Sequence, residues 1–123
     1  MQKDFLQTIV DRKREEVREA KIKLPENELQ QQAASRPRSK RPFTKTLARP
    51  AEDAVNIIAE VKRASPSKGD ICPDLDARQL AGLYEKGGAA ALSVLTDTPF
   101  FKGSFADFRQ ARKGSGLPML RKD

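Results

Sequence analysis

Apolar residues at helical spacing dominate the first part of the chain, and they predict an amphipathic helix from Asp4 to Lys23. The stripe consists of Leu6, Val10, Val17 and Leu24. Pro25 ends this helix, because the residue before a proline is pushed out of the α region, and it can open a second helix that fades by Ala34. A proline-punctuated connector follows at 36–42, and one short helical turn is predicted at 44–48.

Short apolar runs rich in β-branched residues replace the helical spacing later in the chain. They predict buried strands at 54–62, 89–95 and 117–122. Two predicted helices lie between them, with capping-box pairs Asp76/Gln79 and Ser104/Asp107 at their starts and Gly87-Gly88 and Gly114 at their ends. Their inner faces are predicted to consist of Ala77, Leu80, Ala81, Leu83 and Tyr84 in the first helix and Phe105, Phe108 and Ala111 in the second. Strand, helix, strand, helix, strand is the pattern of a parallel sheet with crossover helices, so the fold class is α/β.

Composition limits the possible chemistry. The 123 residues include 24 Lys and Arg against 17 Asp and Glu, one cysteine and no histidine. These counts exclude an intramolecular disulfide, a Cys/His zinc site and a Ser-His-Asp triad within these residues, and we expect no metal. The first residues lack the apolar core of a signal peptide, and no run approaches the ~20 apolar residues of a membrane span. We therefore expect a cytoplasmic protein with no membrane partner.

A run of six basic residues without an acidic one lies around the connector: Arg36, Arg38, Lys40, Arg41, Lys45 and Arg49. Phe43 is the only aromatic residue inside it, so platforms for base stacking are scarce and we expect no nucleic-acid partner. A solvated surface is the usual explanation of such a run. A non-catalytic binding module that uses Arg36–Arg41 as its contact surface stays open as an alternative.

Three charged residues lie where two predicted strands end. Glu60 and Lys62 are two apart, so they share one face of the first strand, and Lys122 ends the third strand in the same way. The opposite face of the first strand suits packing against helices and consists of Ile57, Ala59 and Val61. Two lysines at one rim would raise the cost of charging each other and lower lysine pKa values towards use as an acid. A solvent-exposed ion pair and a solvated terminal lysine remain the alternatives.

Two loops follow predicted strands and could contact a ligand. Ser65-Pro66-Ser67-Lys68-Gly69 offers hydroxyls, a lysine and a glycine-freed backbone to an anion, although an ordinary turn would look the same. Phe100 and Phe101 could cover an aromatic substrate or pack beneath their own loop.

Four stretches together resemble the indole-3-glycerol phosphate synthase family in order and spacing. They are Ile57–Gly69 (IIAEVKRASPSKG), Ala89–Asp97 (AAALSVLTD), Phe101–Ser104 (FKGS) and Pro118–Asp123 (PMLRKD). The resemblance covers essentially the whole chain and implies a (β/α)₈ TIM barrel. Residues 1–48 would be an N-terminal helical extension, and 49–123 the first two βα units and the third strand. We therefore expect a barrel truncated at its third strand.

The resemblance also implies an activity without cofactors. The family closes the indole ring of the sugar phosphate 1-(o-carboxyphenylamino)-1-deoxyribulose 5-phosphate with loss of CO₂ and water, in tryptophan biosynthesis. Lys122 resembles the general acid, Lys62 the lysine that contacts charged substrate groups, and Glu60 the carboxylate that orients both lysines and acts as a base. The implied substrate-binding positions are Ser65, Pro66, Ser67 and Phe101.

The implied later-strand catalytic and phosphate-binding residues are not among these 123. We expect the chain alone to be inactive and to associate with itself through open sheet edges. Another sugar-phosphate barrel enzyme, or a non-catalytic fragment, remains the alternative.

Overall fold

The computed structural model describes residues 4–50 and 55–123. The elements in chain order are α1 (Phe5–Lys23), α2 (Glu26–Ser35), α3 (Phe43–Ala48), β1 (Ile58–Val61), β2 (Ala64–Ser65), β3 (Gly69–Asp70), α4 (Ala77–Lys86), β4 (Ala91–Leu95), α5 (Phe105–Gly114) and β5 (Met119–Lys122). The chain divides into two compact units, one ending at Ser39 and the other running from Lys40 to Asp123. Within the described residues, no helix combines the length and apolar character that crossing a membrane requires.

The first unit consists of α1 and α2, close to the predicted bounds. The Asp4 carboxylate caps α1 by accepting from the Leu6 N–H at 3.3 Å, and Leu24 is extended before Pro25 as predicted. Burial does not follow the predicted stripe, since Leu6 is 64% exposed and Val17 is 45% exposed. The helix is instead rich in ion pairs between residues three or four apart, such as Lys13 Nζ to Glu16 Oε2 at 2.6 Å.

The second unit contains a three-stranded sheet in the order β1-β4-β5, and both pairs are parallel, which confirms the predicted parallel sheet. β4 lies in the centre and is buried along its whole length, as a run of apolar residues with neighbours on both sides should be. Ala54, the predicted start of the first strand, lies outside the described residues, and β1 begins at Ile58.

Helices α4 and α5 cover one face of this sheet. The buried cluster beneath them consists of Val61, Ala77, Ala81, Leu92, Val94 and Ala111. Leu83, Phe105 and Ile57 were predicted on buried faces, and this is wrong because they are 58%, 49% and 58% exposed. Leu83 follows Ala81 by two residues, about 200° around the helix axis, so it points away from the cluster. Phe105 is the first residue of α5, and Arg121 covers its ring at 4.3 Å.

A two-stranded antiparallel hairpin, β2–β3, stands after β1 where the sequence predicted a plain loop. Ser65 pairs with Gly69 across a turn of three residues. Gly69 has a φ of 65°, in the left-handed region that glycine adopts without a steric cost. Gly69 therefore favours a hairpin at this point, whereas from the sequence we interpreted it only as part of a loop.

Helix α3 belongs to the second unit. The Asn56 amide donates to the carbonyls of Leu47 and Arg49 at 3.1 and 2.7 Å. Arg41, one of the six basic residues around the connector, donates to the Ser115 carbonyl at 2.8 Å, just past the end of α5. The division at residue 48 into an extension and a barrel part stays a prediction.

Candidate active site

The carboxyl ends of the three parallel strands bring Glu60 and Lys122 together. Both lie on the inner face of the sheet, defined as the face opposite α4 and α5. Glu60 pairs with Ser93 in register, and Ser93 pairs with Leu120, which places Lys122 one strand pleat further along β5. Lys62 follows β1 directly and reaches the same carboxylate.

The Glu60 carboxylate lies between two ammonium groups. Lys122 Nζ is 3.0 Å from Oε1, and Lys62 Nζ is 3.2 Å from Oε2. The Lys122 side chain is 52% exposed and the Lys62 side chain 34%, so both remain accessible to a ligand from the open side. The sequence predicts repulsion between the lysines, with an ion pair as the open alternative, and in the structure both lysines contact the same carboxylate.

The pKa of Glu60 is set by two opposing effects. Burial penalises the charged carboxylate, but hydrogen bonds from Lys122 and then Lys62, together with their positive charges, outweigh that penalty and hold the pKa of Glu60 below its ordinary value. Glu60 is therefore an anion at neutral pH. The cluster offers one proton acceptor flanked by two lysines, which is the equipment for moving protons to and from a bound carbonyl compound.

Ser93 is a member of the site that sequence reasoning missed. Its hydroxyl donates to Glu60 Oε1 at 3.3 Å, and the residue is only 5% exposed. Ser93 is the one polar residue in the run 89–95, so a hydroxyl inside an otherwise apolar buried strand was the available signal. Its partner could be named only once the register of β1 against β4 was known.

The predicted binding residues of the first loop lie at the tip of the hairpin, where Ser65 ends β2 and Pro66 and Ser67 belong to the turn. Ser65 Oγ and Ser67 Oγ are 3.4 Å apart, and Ser65 Oγ accepts from the Lys68 N–H at 3.2 Å. Pro66, between the serines, is half-buried, whereas Ser67 is exposed. The two hydroxyls thus form one polar patch.

Phe101 belongs to the loop after β4, where it and Phe100 are both half-buried. Each residue therefore keeps part of its surface open to solvent. Two contacts stabilise this loop: the Asp97 carboxylate accepts from the Phe100 N–H at 2.9 Å, and the Asp97 carbonyl accepts from the Gly103 N–H at 2.8 Å. Lys102 Nζ then joins it to the hairpin through Asp70 Oδ1 at 2.5 Å.

A comparison with protein families accounts for this arrangement. The family model described as "Indole-3-glycerol phosphate synthase" matches residues 6–123. The chain belongs to the indole-3-glycerol phosphate synthase family. Because the family is a TIM barrel, the parallel βαβ order of this chain is consistent with its architecture.

Three relatives with that family's name show how far the similarity extends. The chain is 53% identical over 121 residues to indole-3-glycerol phosphate synthase from Desulfosudis oleivorans, covering 98% of this chain and 46% of the relative. The proteins of the same name from Syntrophobacter fumaroxidans and Desulforamulus reducens are 48% and 43% identical, over 98% and 97% of this chain and 45% and 44% of their own lengths. The chain thus spans a little under half the length of these relatives.

Proposed function

We propose that this chain supplies the first two βα units and the third strand of a (β/α)₈ barrel, preceded by a helical extension at 1–48. The whole barrel closes the indole ring of 1-(o-carboxyphenylamino)-1-deoxyribulose 5-phosphate with loss of CO₂ and water, as a step of tryptophan biosynthesis. The observation that carries this proposal is the Glu60 carboxylate between Lys62 and Lys122 at the carboxyl ends of parallel strands. Because the substrate is a phosphorylated metabolite, we place the reaction in the cytoplasm.

Ring closure needs a proton at the ketone oxygen when the aromatic carbon attacks the ketone carbon. Lys122 Nζ supplies that proton, which turns the ketone into a hydroxyl. The C–C bond to the carboxylate then breaks, CO₂ leaves, and its electron pair restores the aromatic ring. Glu60, hydrogen-bonded to Lys122, keeps the ammonium group oriented towards the substrate.

Dehydration completes the pyrrole ring. The new hydroxyl leaves as water with a proton from Lys62, and a base removes a proton from the closed ring so that the double bond forms. Glu60 is the candidate for that base because it is deprotonated at neutral pH and lies between the two lysines. Lys62 also faces the anionic groups of the substrate, and Ser65, Pro66, Ser67 and Phe101 line the pocket.

A hybrid enzyme tests this function. The 121 matched residues of the Desulfosudis oleivorans relative are replaced by those of this chain, and the fluorescence of indoleglycerol phosphate is followed after addition of the substrate. We expect turnover comparable to that of the parent enzyme. A folded hybrid without turnover would contradict the proposal, and turnover of a different ketose phosphate would favour the alternative of another sugar-phosphate barrel enzyme.

We also propose that the 123 residues alone lack activity and associate with themselves. Ile58 and Leu120 on the inner face are 45% and 44% exposed, so water reaches the site from that side and weakens its electrostatic interactions. Strands β1 and β5 each have one side without a strand partner among the described residues, and such edges favour pairing between molecules. Binding through the basic residues around the connector has less support, because Arg41 is engaged at the end of α5.

A further inference from the structure

Arg63 and Asp107 form a two-point ion pair between the first loop and α5. Arg63 Nε donates to Asp107 Oδ2 at 2.8 Å, and Nη2 donates to Oδ1 at 2.7 Å. The two side chains are only 20% and 11% exposed. A planar guanidinium matched to both oxygens of a shielded carboxylate fixes direction as well as distance, which a lysine cannot do.

Arg63 also holds the far end of the first loop, defined as residues 62–76. Its Nη1 donates to the Pro73 carbonyl, and its own carbonyl accepts from the N–H groups of Ile71 and Cys72 at 2.8 and 3.0 Å. The hairpin with Ser65 and Ser67 lies between these anchors. One residue therefore closes the base of the loop through both its backbone and its side chain.

Asp107 gives Arg63 a buried partner on a helix outside the first loop. It is the third residue of α5 and 8% exposed, and its N–H donates to Ser104 Oγ at 3.1 Å. The Ser104/Asp107 pair was predicted to form a capping box. The half of that box in which Ser104 Oγ accepts from the Asp107 N–H is present. The Asp107 carboxylate binds Arg63 instead. A carboxylate within the loop 62–76 could not anchor Arg63 in this way, because it would move with the loop.

We propose that Arg63 and Asp107 are positioning residues for the site, which fix Lys62 and the serine hairpin relative to Glu60. Side chains alternate along an extended segment, so holding Arg63 on the helix side directs Lys62 to the inner face. The exposed pair Asp70–Lys102 adds a weaker link, from the hairpin to the loop that precedes α5. The positioning role rests on the proposed function, whereas the loop anchoring can be measured without it.

Amide hydrogen exchange on the full chain tests the anchoring. In Arg63→Lys, and in the shape-preserving Asp107→Asn, we expect exchange at Ile71 and Cys72 to accelerate about tenfold or more, the factor that one charge-assisted hydrogen bond typically contributes. Exchange at Leu92 and Thr96 in and after β4 should change by less than about twofold. Arg41→Lys is the matched control, because it alters an arginine contact at the other end of α5 and should leave Ile71 and Cys72 unchanged.

Two results would overturn the proposal: unchanged exchange at Ile71 and Cys72 in both variants, or equal acceleration in β4, which would mean a general loss of stability. In the hybrid enzyme, Arg63→Lys should raise KM more than it lowers kcat, because it loosens residues that bind the substrate. Adding Asp107→Asn to Arg63→Lys should change KM little further. Faster exchange at Ile71 and Cys72 together with an inactive parent hybrid would reject the proposed function but not the anchoring. An active hybrid whose KM is unchanged in both variants would reject the positioning role.

Discussion

Lys122 Nζ lies 3.0 Å from Glu60 Oε1, although the two residues are 62 positions apart in the chain. Two crossovers are needed to bring them together, and β4 lies between their strands. Lys122 spans that intervening strand above Ser93, which contacts the same carboxylate oxygen. The contact between Glu60 and Lys122 thus depends on the register of the sheet, whereas Lys62 reaches the same carboxylate from two positions away.

Replacing the two lysines should have different kinetic effects in the hybrid enzyme. Lys122→Ala should lower kcat by about 10²–10⁴, the usual contribution of a positioned acid. Lys62→Ala should lower kcat and also raise KM, because Lys62 both gives a proton and contacts the substrate's anionic groups. Steady-state kinetics measures both parameters, with Lys45→Ala in α3 as the control. Near-normal kcat for a folded Lys122→Ala variant would remove the acid assignment.

The titration of Glu60 should depend on Lys122. Carboxyl chemical shifts in NMR should give a midpoint below the ordinary 4.5, and Lys122→Met should raise it, because the first of the two stabilising lysines is lost while burial remains. An identical midpoint in both proteins would contradict the structure.

The same pKa shift predicts how stability responds to acid. The folded-state pKa of Glu60 lies below the unfolded value, so its contribution is present above the unfolded value of about 4.5 and is lost as pH falls through the folded value. Denaturant unfolding below pH 4.5 should therefore show a smaller loss of stability for Glu60→Gln than for the unchanged chain. A larger loss for the variant would reverse the sign and reject this account.

Lys102 should tolerate glycine better than alanine. Its φ of 52° is left-handed, which costs a residue with a Cβ roughly 1 kcal/mol. Lys102→Gly and Lys102→Ala both lose the ion pair with Asp70, so their difference isolates the backbone term, and the glycine variant should be about 1 kcal/mol more stable in chemical unfolding. At Lys113, inside α5, the order should reverse because helical glycine is unfavourable. The same order at both positions would contradict this.

Self-association should depend on the inner face of the sheet. Light scattering after size exclusion should show oligomers of the unchanged chain, and Leu120→Lys should shift them towards monomer, because a charge at an edge strand opposes pairing. Leu83→Lys, on the exposed side of α4, is the matched control and should have little effect. A monodisperse monomer of the unchanged chain would reject the proposal.

Strand parity alone placed Glu60 and Lys122 on one face and Val61 on the other, and the structure agrees with both placements. Local periodicity is sufficient for such predictions, since it reports which side of an element is buried. The same reasoning failed at Leu83, which is apolar and near the helical stripe but lies about 200° from Ala81.

Local sequence patterns could not predict contacts between distant segments. Ser93 meets Glu60 only through register, and Arg63 meets Asp107 across 44 positions of chain. Asp107 was interpreted as a capping residue because that role needs only its neighbours. The pairing that the structure shows depends on where α5 lies relative to the loop after β1, which no spacing rule describes.

The separation of Glu60 from Lys122 also has a consequence for synthesis on the ribosome. At about 5–20 residues per second, Lys122 is made roughly 3–12 s after Glu60, given the 62 positions between them. During that interval Lys62, two residues away, is the partner that the nascent chain already contains. The local lysine is therefore available to neutralise the carboxylate before the distant lysine has been made.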